Sequence, residues 1–297
     1  MRVLTGAGLA LALWLVPMVA SALPPVWVVK GRDSTIVLFG SVHLLPPGTE
    51  WRPDALKQAL AKADEVWFEA PMDSEGLAEA TKDAQAKGYL PAGQSLRPML
   101  SEGGRQRLAA AAKLLGVPVE QFDPLRPWFA ELLIEDGLFK VIGVDGSDGV
   151  EEQLWAGLSP AARRVTLETP EQQIGFFADA PMTEQLASLE QTLKDAPHAK
   201  RDYDKLLKAW LGSDIRGLDQ EVVEPLKKSS PVLYERVVSQ RNARWVQALD
   251  ERLKGKGRTV MVVGMGHLIG PDSVPARPSR GPSWTCSGSA APLRWSA

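Results

Sequence analysis

The feature that most restricts how this chain can fold is a short pattern that occurs twice, at opposite ends. Thr35-Ile36-Val37-Leu38-Phe39 runs into Gly40-Ser41-Val42-His43, and Thr259-Val260-Met261-Val262-Val263 runs into Gly264-Met265-Gly266-His267. An uninterrupted β-branched and apolar run bounded by glycine is the pattern of a strand buried on both faces, which places it in the middle of a sheet covered by helices. Each histidine then sits just past a central strand, and in open α/β sheets ligands bind at that edge. A single such histidine could be a strand cap bonded to nearby backbone. The chain has 3 histidines in all, and two of them share this position, so the pairing favours a site.

The segment between the repeats supports an α/β reading. Pro53 to Ala63 carries Ala55, Leu56, Ala59, Leu60 and Ala63 on one helical face, and Glu65-Val66-Trp67-Phe68-Glu69 follows as a strand. A strand–helix–strand crossover of this kind is parallel, which brings Glu69 to the same edge as His43. Helices are expected over 74–87, 101–115 and 124–137. Phe139 to Asp145 is expected as a third strand and Arg164 to Glu168 as a fourth, with Thr169 capping the next helix. From Pro170 to Lys254 the pattern is successive helices broken at Pro181, Pro197, Gly212 and Pro231, the last carrying Arg241 and Asn242. His198 falls in a solvated loop. The loop after Asp145 lacks the spacing of an EF-hand or a nucleophile elbow, and Gly264-Met265-Gly266 with Gly270 misses the dinucleotide fingerprint by one residue.

At the amino terminus, Arg2, an apolar core over 10–16 and Ala20-Ser21-Ala22 form a secretory signal cut after Ala22. The mature protein is expected to be periplasmic or secreted, with no membrane span after cleavage. With 34 Lys+Arg against 36 Asp+Glu, charge gives no reason to expect nucleic acid as a partner. The one cysteine, Cys286, has no internal disulfide partner, so stability must come from the core.

Together, Phe39-Gly40-Ser41-Val42-His43, Val66-Trp67-Phe68-Glu69, Arg126-Pro127-Trp128, Gly143-Val144-Asp145, Leu167-Glu168-Thr169 with Glu171 and Gln173, Arg241-Asn242 and Val263 to Leu268 resemble the TraB/GumN family. That family includes the TIKI proteins and is distantly related to the erythromycin-esterase and ChaN-like proteins. The resemblance covers roughly residues 26–274. It implies a single α/β domain over 23–275, built as two related halves around a central mixed sheet, each half presenting a Gly-x-x-His motif to a shared cleft. Members with assigned activity look like metal-dependent peptidases, the TIKI branch acting near the amino terminus of a secreted signalling protein.

Carried over, the resemblance implies a site of His43, Glu69, Glu168, Arg241, Asn242 and His267. His43, His267 and Glu69 would hold a divalent ion (Zn, Mn, Co or Fe), one of Glu69 and Glu168 acting as ligand and the other as base. Arg241 and Asn242 would stabilise an oxyanion. The substrate would be a peptide or small molecule. The alternative is a non-catalytic envelope protein that uses the same histidines to bind haem or metal. After Val274 the family pattern calls for a further helix and strand, whereas residues 276–297 form a Pro/Ser/Gly-rich tail without apolar period, as a shifted reading frame would give, and are expected to be disordered.

Overall fold

The computed structural model describes residues 23–144 and 148–277. The expected signal segment, Asp145 and most of the expected tail lie outside them. The described chain is a single-domain mixed α/β protein. Its strands are β1 (Val26–Lys30), β2 (Asp33–Ser41), β3 (Glu65–Phe68), β4 (Arg163–Thr166) and β5 (Lys256–Gly264), in the order β1-β2-β5-β3-β4. β1 folds back on β2 as an antiparallel hairpin, from Val26 opposite Phe39 to Lys30 opposite Thr35. The other four strands are parallel to one another. The two long repeats are central neighbours, with Ser41 opposite Gly264. β5, last in sequence, is inserted between β2 and β3, so the crossover through α1 (Asp54–Leu60) skips a place that is filled only when the chain returns at Lys256, 191 residues after β3 begins at Glu65.

Helices α2 (Ser74–Lys87), α3 (Glu102–Leu115), α4 (Pro127–Val141) and α5 (Val150–Gly157) precede β4. After it come α6 (Pro170–Ala178), α7 (Met182–Asp195), α8 (Ala199–Leu211), α9 (Ile215–Leu218), α10 (Glu224–Ser229), α11 (Pro231–Tyr234) and α12 (Gln240–Leu253). Wide π turns over Asp219–Val223 and Glu235–Ser239 interrupt the last group. The α6 cap is as expected: Thr169 and Gln172 form a reciprocal capping box. Among the described residues no helix is long and apolar enough to cross a membrane.

Two apolar clusters hold these layers. One surrounds the sheet: Phe39, Trp51 and Trp210 stack with ring centroids 5.6–6.3 Å apart, and the indole of Trp210 donates to the Gly40 carbonyl at 2.8 Å. Burial of side chains this large contributes roughly 2–3 kcal/mol each, and the hydrogen bond removes the penalty of a buried indole N–H. On the alternate face, Ser34 donates to the carbonyl of Leu253, fixing the end of α12 against β2. The second cluster joins α2, α3, α4, α6 and α7 through Leu108, Trp128, Ile134, Leu189 and Leu193.

The expected third strand over 139–145 is not a strand. α4 continues through Val141, and Gly143 ends it with φ +83°. The Gly143 N–H reaches the Lys140 carbonyl and the Val144 N–H that of Phe139, a helix-terminating pair of bonds that requires a left-handed residue. The apolar run belongs to the helix: Ile134 and Leu138 face the core one turn apart, while Val141 is exposed. The expected tail is also tied down at its start. Ala276 and Arg277 both donate to the Ser273 carbonyl, and the Arg277 guanidinium bonds the Asp272 carbonyl and the Ser239 hydroxyl.

Candidate functional site

Because β2, β5, β3 and β4 are parallel, their carboxyl ends lie on one edge. His43 follows β2 by two residues, His267 follows β5 by three, Glu69 follows β3 by one, and Glu168 follows β4 by two. The β3–β4 pairing continues past the named strands, as the Glu168 N–H donates to the Glu69 carbonyl at 2.8 Å. Arg241, at the start of α12, reaches over this edge.

The two motif glycines are needed for different reasons. A Cβ on Gly40 would lie 2.5 Å from Met265 Cε and 3.2 Å from its Cα, so glycine lets the second motif pack against the first. A Cβ on Gly264 would lie 3.3 Å from Glu69 Oε1, 3.5 Å from His43 Nε2 and 3.7 Å from His267 Cδ2. Glycine there leaves open the place where three side chains converge.

Arg241 is the centre of the charge network and is 7% exposed. Its Nε donates to Glu168 Oε1 at 2.9 Å, Nη2 to Glu168 Oε2 at 2.7 Å and to Glu69 Oε2, and Nη1 to the Val237 carbonyl at 3.1 Å, with His267 Nε2 also 3.1 Å from Nη1. All five N–H groups are thereby used within the protein. Phe176 and Trp245 stack against the guanidinium at 5.0 and 4.7 Å. Glu168 also accepts from the Trp245 indole at 3.2 Å, and Gln173 bridges Glu69 and Glu168 at 3.3 Å to each.

The two imidazoles are held in opposite states. An arginine only donates, so His267 Nε2 accepts from Arg241 and the ring proton sits on Nδ1, which donates to Asn242 Oδ1 at 2.7 Å. Burial, with the charge of Arg241 added, pushes the His267 pKa down to about 3, leaving a neutral ring. His43 is open to solvent over 69% of its side chain, and its Nδ1 stands 2.8 Å from Glu151 Oε1. The Glu151 carboxylate raises its pKa to about 9. Burial alone would push the Glu69 carboxyl up, but Arg241 and the Gly264 N–H, 2.6 Å from Oε1, hold it well below the usual carboxylate range.

A cleft of about 360 Å³ opens here, lined by Ser41, His43, Glu69, Arg241 and His267 at its polar end and by apolar side chains such as Leu44, Phe139, Phe177, Leu206 and Val238 elsewhere. All six residues expected at the site gather at this edge, although only four of them line the cleft. Glu168 is sealed beneath Arg241. Asn242 is fully buried, with Oδ1 on His267 and Nδ2 on the Asp272 carbonyl at 2.8 Å. His198 is exposed and far along the chain from the edge. Among the described residues no three His, Cys, Asp or Glu side chains are placed as a ready-made metal-holding set. The sequence reading missed Glu151, which had no signal beyond lying in an acidic helix start, and Ser41, whose hydroxyl donates to Glu151 Oε1 at 2.5 Å.

An α/β sheet with paired Gly-x-x-His motifs and a buried Glu–Arg–Glu bridge at its carboxyl edge defines the class of protein. The chain belongs to the TraB/PrgY/gumN family, whose model matches residues 25–280. No curated protein matches the chain.

Proposed function

We propose that the protein is an exported hydrolase, periplasmic or secreted, that cleaves a carbonyl-centred bond in a peptide or small-molecule substrate and uses a divalent ion (Zn, Mn, Co or Fe). The observation that carries this reading is the convergence of His43 Nε2 and Glu69 Oε1 on the open space above Gly264, at the polar end of the cleft. An imidazole nitrogen and a carboxylate oxygen are the donors a borderline divalent ion prefers. His43, Glu69 and His267 would hold it, in competition with the proton that Glu151 favours on His43 and with the Arg241 bond to His267 Nε2. Bound there, such an ion supplies Lewis acidity and a water of lowered pKa.

The chain's own residues do the rest. Glu69, kept ionised by Arg241, is the carboxylate that faces the reacting atoms, whereas Glu168 holds Arg241 in place. His43 Nε2 faces the same open space from the other side, as a donor to the ion, while its Nδ1 is held by Glu151. Arg241 and Asn242, expected as oxyanion donors, act instead by fixing Glu69 and the His267 tautomer. The two Gly-x-x-His units end adjacent parallel strands, which supports reading them as related halves around one cleft.

The decisive experiment is cleavage of a peptide library by purified mature protein with and without chelator, alongside metal analysis. Chelator-sensitive cleavage with about one ion per chain is the expected result. Cleavage unaffected by chelator removes the ion and keeps the hydrolase; a strong visible band on haem reconstitution without cleavage replaces the hydrolase by the binding-protein alternative. Gly264→Ala is expected to keep the unfolding free energy within about 1 kcal/mol, since φ is −50° there, yet to lower cleavage at least about tenfold by filling the open space. An active Gly264→Ala enzyme would show that nothing reacts at that spot.

A further inference from the structure

We infer that Glu151 is the positioning residue of this site, holding the exposed ring of His43 so that Nε2 points into the cleft above Gly264. α5 is docked for this purpose: the Val150 N–H donates to the Val42 carbonyl at 3.2 Å, placing the first turn of the helix against the exit of β2. Glu151 is 6% exposed. Its Oε1 is shared by Ser41 Oγ at 2.5 Å and His43 Nδ1 at 2.8 Å, so the residue that ends the strand and the histidine two positions later are bonded to one oxygen. Among the described residues Oε2 meets no donor.

A buried carboxylate with one idle oxygen is costly, and its bonds to the Ser41 hydroxyl and to a largely exposed imidazole offset only part of that cost. Stability therefore does not account for it. What the carboxylate supplies is direction. The His43 ring has most of its surface in solvent, so packing does not fix its torsions, and an unrestrained ring loses rotamer freedom each time it meets substrate. The bond from Nδ1 to an acceptor that is itself immobilised by Ser41 removes that freedom beforehand and fixes which nitrogen faces the cleft. Outer carboxylates that orient functional imidazoles commonly contribute 10–100-fold.

This deepens the hydrolase reading and rests on it only for the kinetic part of the test. With 3 histidines in the chain, histidine-selective 15N labelling gives an assignable imidazole spectrum. The wild type is expected to show a slowly exchanging Nδ1–H at His43 and a nuclear Overhauser contact between the His43 ring and Gly264 Hα. Glu151→Leu, close in volume and without an acceptor, should lose both. Glu151→Gln, whose amide oxygen still accepts, should keep the contact. If Glu151→Leu does not fold, Glu151→Asp, which withdraws the acceptor by one methylene, gives the same readout.

In the peptide-library assay Glu151→Leu should lower kcat about 10–100-fold with KM within about twofold, and Glu151→Gln should recover much of the loss. A folded Glu151→Leu protein that keeps the His43–Gly264 contact, or a Glu151→Gln protein that loses it equally, would overturn the proposal. If the wild type cleaves nothing, the hydrolase reading fails while the spectra still decide the role of Glu151.

Discussion

Arg241→Met is expected to destabilise the fold by about 3–5 kcal/mol and to abolish activity, the largest single-residue effect in the chain. Among the described residues the guanidinium is the only cation in contact with both Glu69 and Glu168, whose side chains are 13% and 2% exposed. Removing it leaves two largely buried carboxylates facing each other across Gln173 without their shared cation. Lysine does not substitute, because one ammonium cannot reach Glu168, Glu69, the Val237 carbonyl and His267 Nε2 together.

The pH dependence has a definite sign. In the wild type the Glu69 carboxyl is held below its ordinary value, so its contribution to stability is fully present above the unfolded value of about 4.5 and is lost as pH falls below that. In Arg241→Met the opposing cation is gone and burial dominates, which raises the carboxyl pKa and makes the folded variant more stable as it takes up protons. Its deficit should therefore shrink between pH 8 and pH 5 in urea titrations. Adding Glu69→Gln and Glu168→Gln to Arg241→Met should recover most of the loss. A deficit below about 1 kcal/mol, or one that does not change with pH, would mean that the bridge is not what the geometry shows.

Removal of either paired histidine is expected to lower hydrolysis by about 10²–10⁴-fold, but with different structural consequences. His43→Ala deletes a ring that is mostly in solvent, so the unfolding midpoint should barely move. His267→Ala deletes a buried ring that bonds Asn242, accepts from Arg241 and packs on Trp245 with centroids 4.4 Å apart. Leaving Asn242 Oδ1 and one Arg241 N–H without partners should cost about 2–3 kcal/mol as well. His198→Ala, on an exposed turn, should change neither activity nor midpoint. Equal activity in His43→Ala and wild type would remove His43 from the chemistry and leave it as a strand cap; an unchanged midpoint in His267→Ala would contradict the tautomer assigned to it.

Much of this arrangement follows from the sequence alone. Two β-branched runs ending in Gly-x-x-His can be buried on both faces only as central strands, and the parallel geometry they require sets the carboxyl ends of β2, β5, β3 and β4 on one edge. His43, His267, Glu69 and Glu168 are therefore brought together by local pattern and chain direction, and Thr169 with Gln172 states its own helix start. Patterns of one residue type over a few positions are enough for this, because burial and capping are decided by neighbours in sequence.

Other features were decided only by the tertiary structure. The run from Phe139 to Val144 has the composition of a strand, yet the packing of Ile134 and Leu138 carries α4 onward until Gly143 turns left-handed and closes it. β1 is a strand because β2 offers a free edge, which five residues following a signal-like segment do not announce. The insertion of β5 between β2 and β3 depends on a chain return from nearly two hundred residues away. The roles of charged groups were the least legible: Arg241 is saturated by protein acceptors and Glu151 holds His43 because α5 docks on Val42. Such roles depend on which donors and acceptors lie within about 3 Å in space, a distance that no spacing along the chain encodes.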